Sequence, residues 1–210
     1  MDVSPFRLAE QLLTMDASRS RPSDLPGRYG RVVADLDRLC RATKTRVSLV
    51  GGWAVWRHGY AGRVTEDIDV VVAADTIDEL RRNAAHFGFG DLAPPEGRWP
   101  KLSHLDTGIE VDLLPQDGRP GRPGRLAPTT IDHPESYREP DDDAVTYGHL
   151  PGLIELKLAA GRLKDQADVV ALIEANPESL QTIRDHLQGV HPDYPPRFER
   201  LVDEAESDVR

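Results

Sequence analysis

Cysteine is all but absent from this chain of 210 residues, with Cys40 standing alone. One thiol can form no intrachain disulfide and no cysteine-built zinc site. Nor does any stretch approach the eighteen or so uninterrupted apolar residues that a membrane-spanning helix needs. The first residues, MDVSPFRLAEQLL, contain an acid at Asp2 and no long apolar segment of the signal-peptide kind. A cytoplasmic location, with no membrane partner, is the resulting expectation. Basic residues are also in deficit, 26 against 36 acids, for a formal charge of -10. That balance argues against indiscriminate nucleic-acid binding but leaves room for a local basic patch. Hydrophobic residues at 39% and charged residues at 30% describe a globular chain with a wet surface rather than a disordered one. The length suits one domain with an extension, or two small domains.

Four regions follow from the patterning. Residues 1–45 carry two helical patterns, over 5–16 and from about Tyr29 to Thr43, the second repeating Val32, Val33, Leu36, Leu39 and Cys40 at threes and fours. Residues 46–115 read as a core in the order strand, helix, strand, helix, strand, strand. Its strands are Arg46–Val50, which stops at Gly51-Gly52, then Ile68 to Ala73, then 99–106 and 108–114 as a hairpin about Asp106-Thr107-Gly108. Its long helix runs from Asp75, a candidate N-cap, to Phe87, with Gly88 as terminator. Residues 116–145 are a loop rich in Pro, Gly and Arg, where the prolines oppose regular structure. Residues 146–210 are helical. The fold class is therefore α/β (α+β): a small mixed sheet with a helical C-terminal portion.

Two strands carry carboxylates where apolar residues are expected. Asp67 and Asp69 point to one face while Ile68, Val70 and Val72 take the other. Glu110 and Asp112 repeat the arrangement before Leu113-Leu114. Such acids can simply lie on a solvated sheet face. Held close and partly buried, they repel, and a divalent cation is the natural compensation. Oxygen-only ligation favours Mg²⁺ or Mn²⁺ over Zn²⁺, and no HxxxH or CxxC pattern offers nitrogen or sulfur in competition. Gly51-Gly52 would let backbone N–H groups approach an anion closely.

The block LVGGWAVWRHGYAGRVTEDIDVVV, residues 49–72, followed by EVDLL, residues 110–114, resembles the nucleotidyltransferase superfamily with its polymerase-β-like fold. Within it the sequence is most similar to the bacterial branch that includes AbiEii-like toxin nucleotidyltransferases, through Arg63, Thr65 and Asp67 and a helix resembling LIELKLAAGRLKDQADVVAL, residues 153–172. The resemblance implies metal ligands at Asp67, Asp69 and Asp112, with Glu110 the weaker candidate for the third acid. It implies a phosphate-binding turn at Gly51 and Gly52, with Arg63 and Thr65 beside the nucleotide and Lys157 near the phosphates. The implied reaction moves an NMP from an NTP to a hydroxyl of an RNA or tRNA end, a protein or a small molecule, releasing pyrophosphate. An antitoxin-like partner is implied as well. A different class of function is also open, in which a catalytically silent relative binds nucleotide or a partner protein. Lys157 read without the family is a lysine at the edge of an amphipathic helix, and Arg63 is an ion-pair partner for Asp67 or Asp69.

The remaining expectations are plainer. Trp53 and Trp56 read as core, although Trp53 adjoins the glycine turn. His58 reads as a helix-end residue, His104 has no obvious partner, and Asp141-Asp142-Asp143 reads as a solvated linker. Residues 118–125, GRPGRPGR, place Arg119, Arg122 and Arg125 at a period of three. This suits either a flexible loop over the site or an extended arm that touches nucleic-acid phosphates.

Overall fold

The computed structural model describes residues 22, 27–60, 64–92, 99–122 and 124–208. The helix expected over 5–16 lies outside them, as does Arg63. The first described helix, α1 (Gly27–Ala42), buries the Val32, Val33, Leu36, Leu39 and Cys40 stripe. Burial lifts the Cys40 thiol to about 12, so this cysteine is an inert core residue. β1 (Val47–Val50) is buried along its whole length and runs directly into α2 (Gly51–Arg57), which begins on the glycine pair itself. β2 (Ile68–Val72) follows.

The single helix expected over 75–87 is instead α3 (Ile77–Asn83) between two 3₁₀ turns, Ala74–Thr76 and Ala84–Phe87. Asp75 falls inside the leading turn, and no side chain caps either end. Uncapped ends satisfy their backbone groups by tightening into 3₁₀ geometry. Gly88 does terminate the segment, in the left-handed conformation at φ 82°. Three strands come next: β3 (Phe89–Leu92), absent from the sequence-based expectation, then β4 (Lys101–His104) and β5 (Glu110–Pro115). β4 and β5 form the expected antiparallel hairpin.

The Pro/Gly/Arg-rich stretch holds more structure than its composition suggests. β6 (Gly121–Arg122) and β7 (Arg125–Leu126) pair as a small antiparallel ribbon. Gln116 N–H donates to the Val72 carbonyl, and Asp117 and Gly118 exchange backbone bonds with Ile131. The aspartate run is anchored too: Asp143 pairs with Arg41 at 2.8 Å, and the Asp141 carbonyl accepts from Arg46 at 2.7 Å. β8 (Val145–Tyr147), also not expected, closes the sheet.

The six-stranded sheet has the order β3-β4-β5-β2-β1-β8. β2–β5 and β1–β8 are parallel and the other pairs antiparallel, which makes the sheet mixed. Four helices complete the chain: α4 (Leu150–Ala160), α5 (Leu163–Ala175), α6 (Leu180–Val190) and α7 (Tyr194–Asp208). α4 is buried nearly all round, which marks it as the central helix of this portion rather than an amphipathic surface one. It touches α2 on the sheet side and α5, α6 and α7 on the other. One continuous apolar cluster runs from α1 through the sheet into α7. The mouth of β2 and the start of α5 are thereby held in one rigid body.

Candidate metal centre

The register of the sheet builds the site. In the parallel pair β2–β5, Asp69 stands opposite Asp112. Asp67 lies two residues before Asp69, at the bend that opens β2. One carboxylate oxygen from each of Asp67, Asp69 and Asp112 lies within 4.8 Å of the others. At that spacing each pair of full charges repels by about 3 kcal/mol for an effective dielectric of about 20. Burial, together with the Asp67 and Asp112 charges, pushes the Asp69 carboxyl up to about 6, against the opposing fields of Lys157 and Arg162. Asp112 is raised as well, chiefly by burial, with Lys101 working in the other direction.

The surrounding residues hold these acids in place and relieve them only in part. In the antiparallel pair β1–β2, Val50 stands opposite Asp69, so Gly51 passes directly over the carboxylate. A Cβ at Gly51 would meet Asp69 Oδ2 at 1.8 Å, and the residue's φ of 65° also demands glycine. A Cβ at Gly52 would meet Thr65 Oγ1 at 2.4 Å. The glycine pair is thus required first by the close approach of Asp69 and Thr65. Thr65, buried, donates its hydroxyl to Asp67 Oδ1 at 3.3 Å, and its carbonyl accepts from the Tyr29 hydroxyl at 3.1 Å. The Trp53 indole N–H donates to the Asp67 carbonyl at 3.0 Å. Trp53 is fully buried, so it supports the site from behind.

Sequence reasoning missed Lys101. Its ammonium bonds Glu110 at 2.9 Å and lies 2.8 Å from Asp112 Oδ1. The second contact is an ion pair that works against the rise burial imposes on Asp112. Burial alone would lower the Lys101 pKa, and the two carboxylates overcome that and raise it. Glu110 is exposed and engaged by Lys101, outside the cluster. A convergent set of three carboxylates fits a hard divalent cation, which would share Asp112 with Lys101.

Lys157 sits where the helical portion meets the site, but its ammonium is buried between Asp168 at 2.7 Å and Asp165 at 3.5 Å. What reaches Asp69 is its field, joined by that of Arg162. Gly161 ends α4 in the left-handed conformation, and Arg162 then grips Asp165 through Nε at 2.6 Å and a terminal guanidinium nitrogen at 3.0 Å. This i,i+3 contact opens α5. His58 caps α2 and bonds the Gly148 carbonyl at 2.8 Å. His104, for which the sequence offers no obvious partner, is buried between Asp35 at 3.0 Å and the Thr107 hydroxyl at 2.9 Å, tying α1 to the β4–β5 hairpin.

Two cavities adjoin this region. One, of about 380 Å³, is lined by Tyr29, Glu66, Asp67, Thr107 and Glu110 among others. The other, of about 820 Å³, lies between the β6–β7 ribbon, the α4–α5 junction and α7. Among the described residues no helix is long and apolar enough to cross a membrane.

No family model and no curated protein matches the chain. Among solved structures it is similar to a crystal structure of ANT(2″)-Ia in complex with adenylyl-2″-tobramycin. The identity is 12%, over 85% of this chain and 97% of that one, with a TM-score of 0.43. It is also similar to a solution structure of the antibiotic-resistance factor ANT(2″)-Ia, at 12% identity over 84% of this chain and 96% of that one, with a TM-score of 0.48. The chemistry of the site rests on its own side chains: three carboxylates close enough together that they could hold a metal ion.

Proposed function

We propose that the protein is a metal-dependent nucleotidyltransferase that moves an NMP from an NTP to a hydroxyl acceptor. The observation that carries this is the convergence of Asp67, Asp69 and Asp112 at one end of the sheet, close enough for one cation to be held by all three. The three carboxylates would hold Mg²⁺ or Mn²⁺, which when bound supplies positive charge to a triphosphate and acidifies a hydroxyl. Gly51 and Gly52 bring the backbone against Asp69 and Thr65, which leaves the turn slender enough for phosphates to lie beside it. Thr65 and Trp53 fix Asp67, and the charges of Lys157 and Arg162 act against the rise of the Asp69 carboxyl. In the transfer, the acceptor oxygen bonds the α-phosphorus, the bond to the pyrophosphate oxygen breaks, and Asp112 takes the acceptor proton. Arg63 is a candidate for the nucleotide side of the site on its sequence position alone.

The test is incubation of the protein with each labelled NTP, Mg²⁺ and total tRNA or cell extract, beside an Asp67→Ala/Asp69→Ala variant. Label should pass to an acceptor only with the unaltered protein. Metal-dependent nucleotide binding without transfer would favour the silent relative, and neither transfer nor binding would remove the reading altogether. The toxin-like role and its antitoxin-like partner belong to the same proposal. Growth arrest on expression, absent from the aspartate variant, is the expected sign.

A further inference from the structure

The larger cavity is lined by seven basic residues and two acids, in a protein whose formal charge is -10. Lys157 and Arg162 are spoken for by the carboxylates of α5. Arg122, Arg125, Lys164, Arg197 and Arg200 are not: among the described residues none of the five forms an ion pair. They come from three separate places, the β6–β7 ribbon, the first turn of α5 and α7. Arg122 and Arg125 are moreover direct register partners on the ribbon. Like charges set opposite each other on paired strands are mildly destabilising, and no carboxylate among the described residues pairs with either arginine.

The apolar content of the same cavity is equally unusual. Leu126, 57% exposed, and Leu163, 85% exposed, are two of the five large hydrophobic residues left in solvent among the described residues. Both line this cavity, between the unpaired cations. Cations spread over three elements suit the successive phosphates of an extended strand better than one compact anion, and the leucines offer apolar surface beside them. A lone triphosphate would need neither the spread of charge nor the leucines.

We propose that this cavity binds the phosphodiester backbone of a single-stranded RNA end, which makes RNA the acceptor. The proposal rests on the nucleotidyltransferase reading for its catalytic consequence only. RNA is favoured among strands because its ends offer unstacked bases and ribose hydroxyls, and a hydroxyl is what the transfer requires. The ribbon packs against α4, the helix that carries Lys157, so a strand held here lies beside the residues whose charge acts on Asp69. Arg122 and Arg125 of the period-three repeat are in this view one wall of a binding site, the second wall being α7.

The experiment measures binding of a short fluorescein-labelled single-stranded RNA by anisotropy across a salt series. It compares the full chain, an Arg122→Ala/Arg125→Ala/Arg200→Ala variant, and the Asp67→Ala/Asp69→Ala variant. The arginine variant should bind at least about ten-fold more weakly. Its log affinity against log salt should also be shallower by about 2, three lost phosphate contacts at about 0.7 each. The aspartate variant should bind as the unaltered protein does. Equal affinity and slope in the arginine variant would overturn the inference while leaving NTP transfer untouched. RNA binding lost with the arginines in a protein that turns over no NTP would uphold it and sink the transfer reading instead. Equal affinity for DNA of the same sequence would overturn the choice of RNA. A second variant, Lys164→Ala/Arg197→Ala, guards against a local collapse of the ribbon, and retained RNA affinity in both folded variants counts against the site.

Discussion

The carboxylate cluster and the arginine-lined cavity are both concentrations of like charge, and they are built in opposite ways. Asp69 and Asp112 are register partners on sheet strands with Asp67 at the bend before them, and burial, joined by their mutual repulsion, raises Asp69 and Asp112. The cations are on a two-stranded ribbon and helix surfaces, and Arg122, Arg125, Lys164 and Arg200 are exposed. Water screens them at little expense. A buried charge cluster therefore reports a ligand through stability, whereas an exposed one reports it through affinity and salt dependence.

Breaking the first half of the comparison should have the largest effect. Gly51→Ala drives a methyl into Asp69 Oδ2 on a backbone of positive φ, so transfer should fall by about 100-fold or more and stability by about 2 kcal/mol, read by label transfer and by melting. A retained rate would mean that Asp69 is not where the reaction needs it.

The pH dependence comes next. Asp69 holds its proton more tightly in the folded than in the unfolded state. Its contribution is therefore fully present below about pH 4 and lost as pH rises through about 6. The side chain retains some exposure, which trims a shift of about two units to about 1–2 kcal/mol, or about 3–6 °C in melting temperature. Asp69→Asn should accordingly melt higher than the unaltered metal-free protein at pH 7, match it near pH 4, and lose that advantage when Mg²⁺ is added. A gap independent of pH would dismiss the buried carboxylate as its source.

Smaller still is the effect of the built-in cation. Lys101→Met removes an ammonium that lies 2.8 Å from Asp112 Oδ1 and competes with a metal for that oxygen. Mg²⁺ affinity by calorimetry should rise roughly three- to ten-fold, and a fall would recast Lys101 as a brace that the site needs. The smallest change expected is in the ribbon. Arg122→Ala/Arg125→Ala relieves an opposed like-charge pair and should leave melting unchanged or raise it by a few tenths of a kcal/mol. A marked drop would show that the arginines hold the ribbon together.

How far the chain could be read in advance follows the range of the interactions. Asp67, Asp69 and Asp112 stand out because a carboxylate among β-branched residues is locally anomalous, and the strands that carry them need only short-range alternation to be seen. β3 and β8 were not legible. β8 is three residues long and pairs in parallel with β1, almost a hundred residues upstream. Lys101 faces Asp112 only because of a cross-strand register, which no local pattern announces. Lys157 was visible as a residue, but its burial against Asp165 and Asp168 depends on the turn at Gly161 that folds α5 back on α4. The arginine repeat was legible as a motif. Its opposing wall was not, since Arg197 and Arg200 join it only through the packing of α7 on α5.

Trp53 adds a practical consequence. Its indole N–H holds the Asp67 carbonyl, its ring lies 4.5 Å from that of Tyr29 and 4.7 Å from that of Trp56, and it is wholly shielded from solvent. The chain has three tryptophans, and this one is wired to the backbone of a candidate metal ligand. Any displacement of Asp67 on loading changes the polarity and hydrogen bonding of a buried fluorophore. If a metal or nucleotide moves Asp67 as proposed, a change in indole emission is the expected label-free readout of its titration.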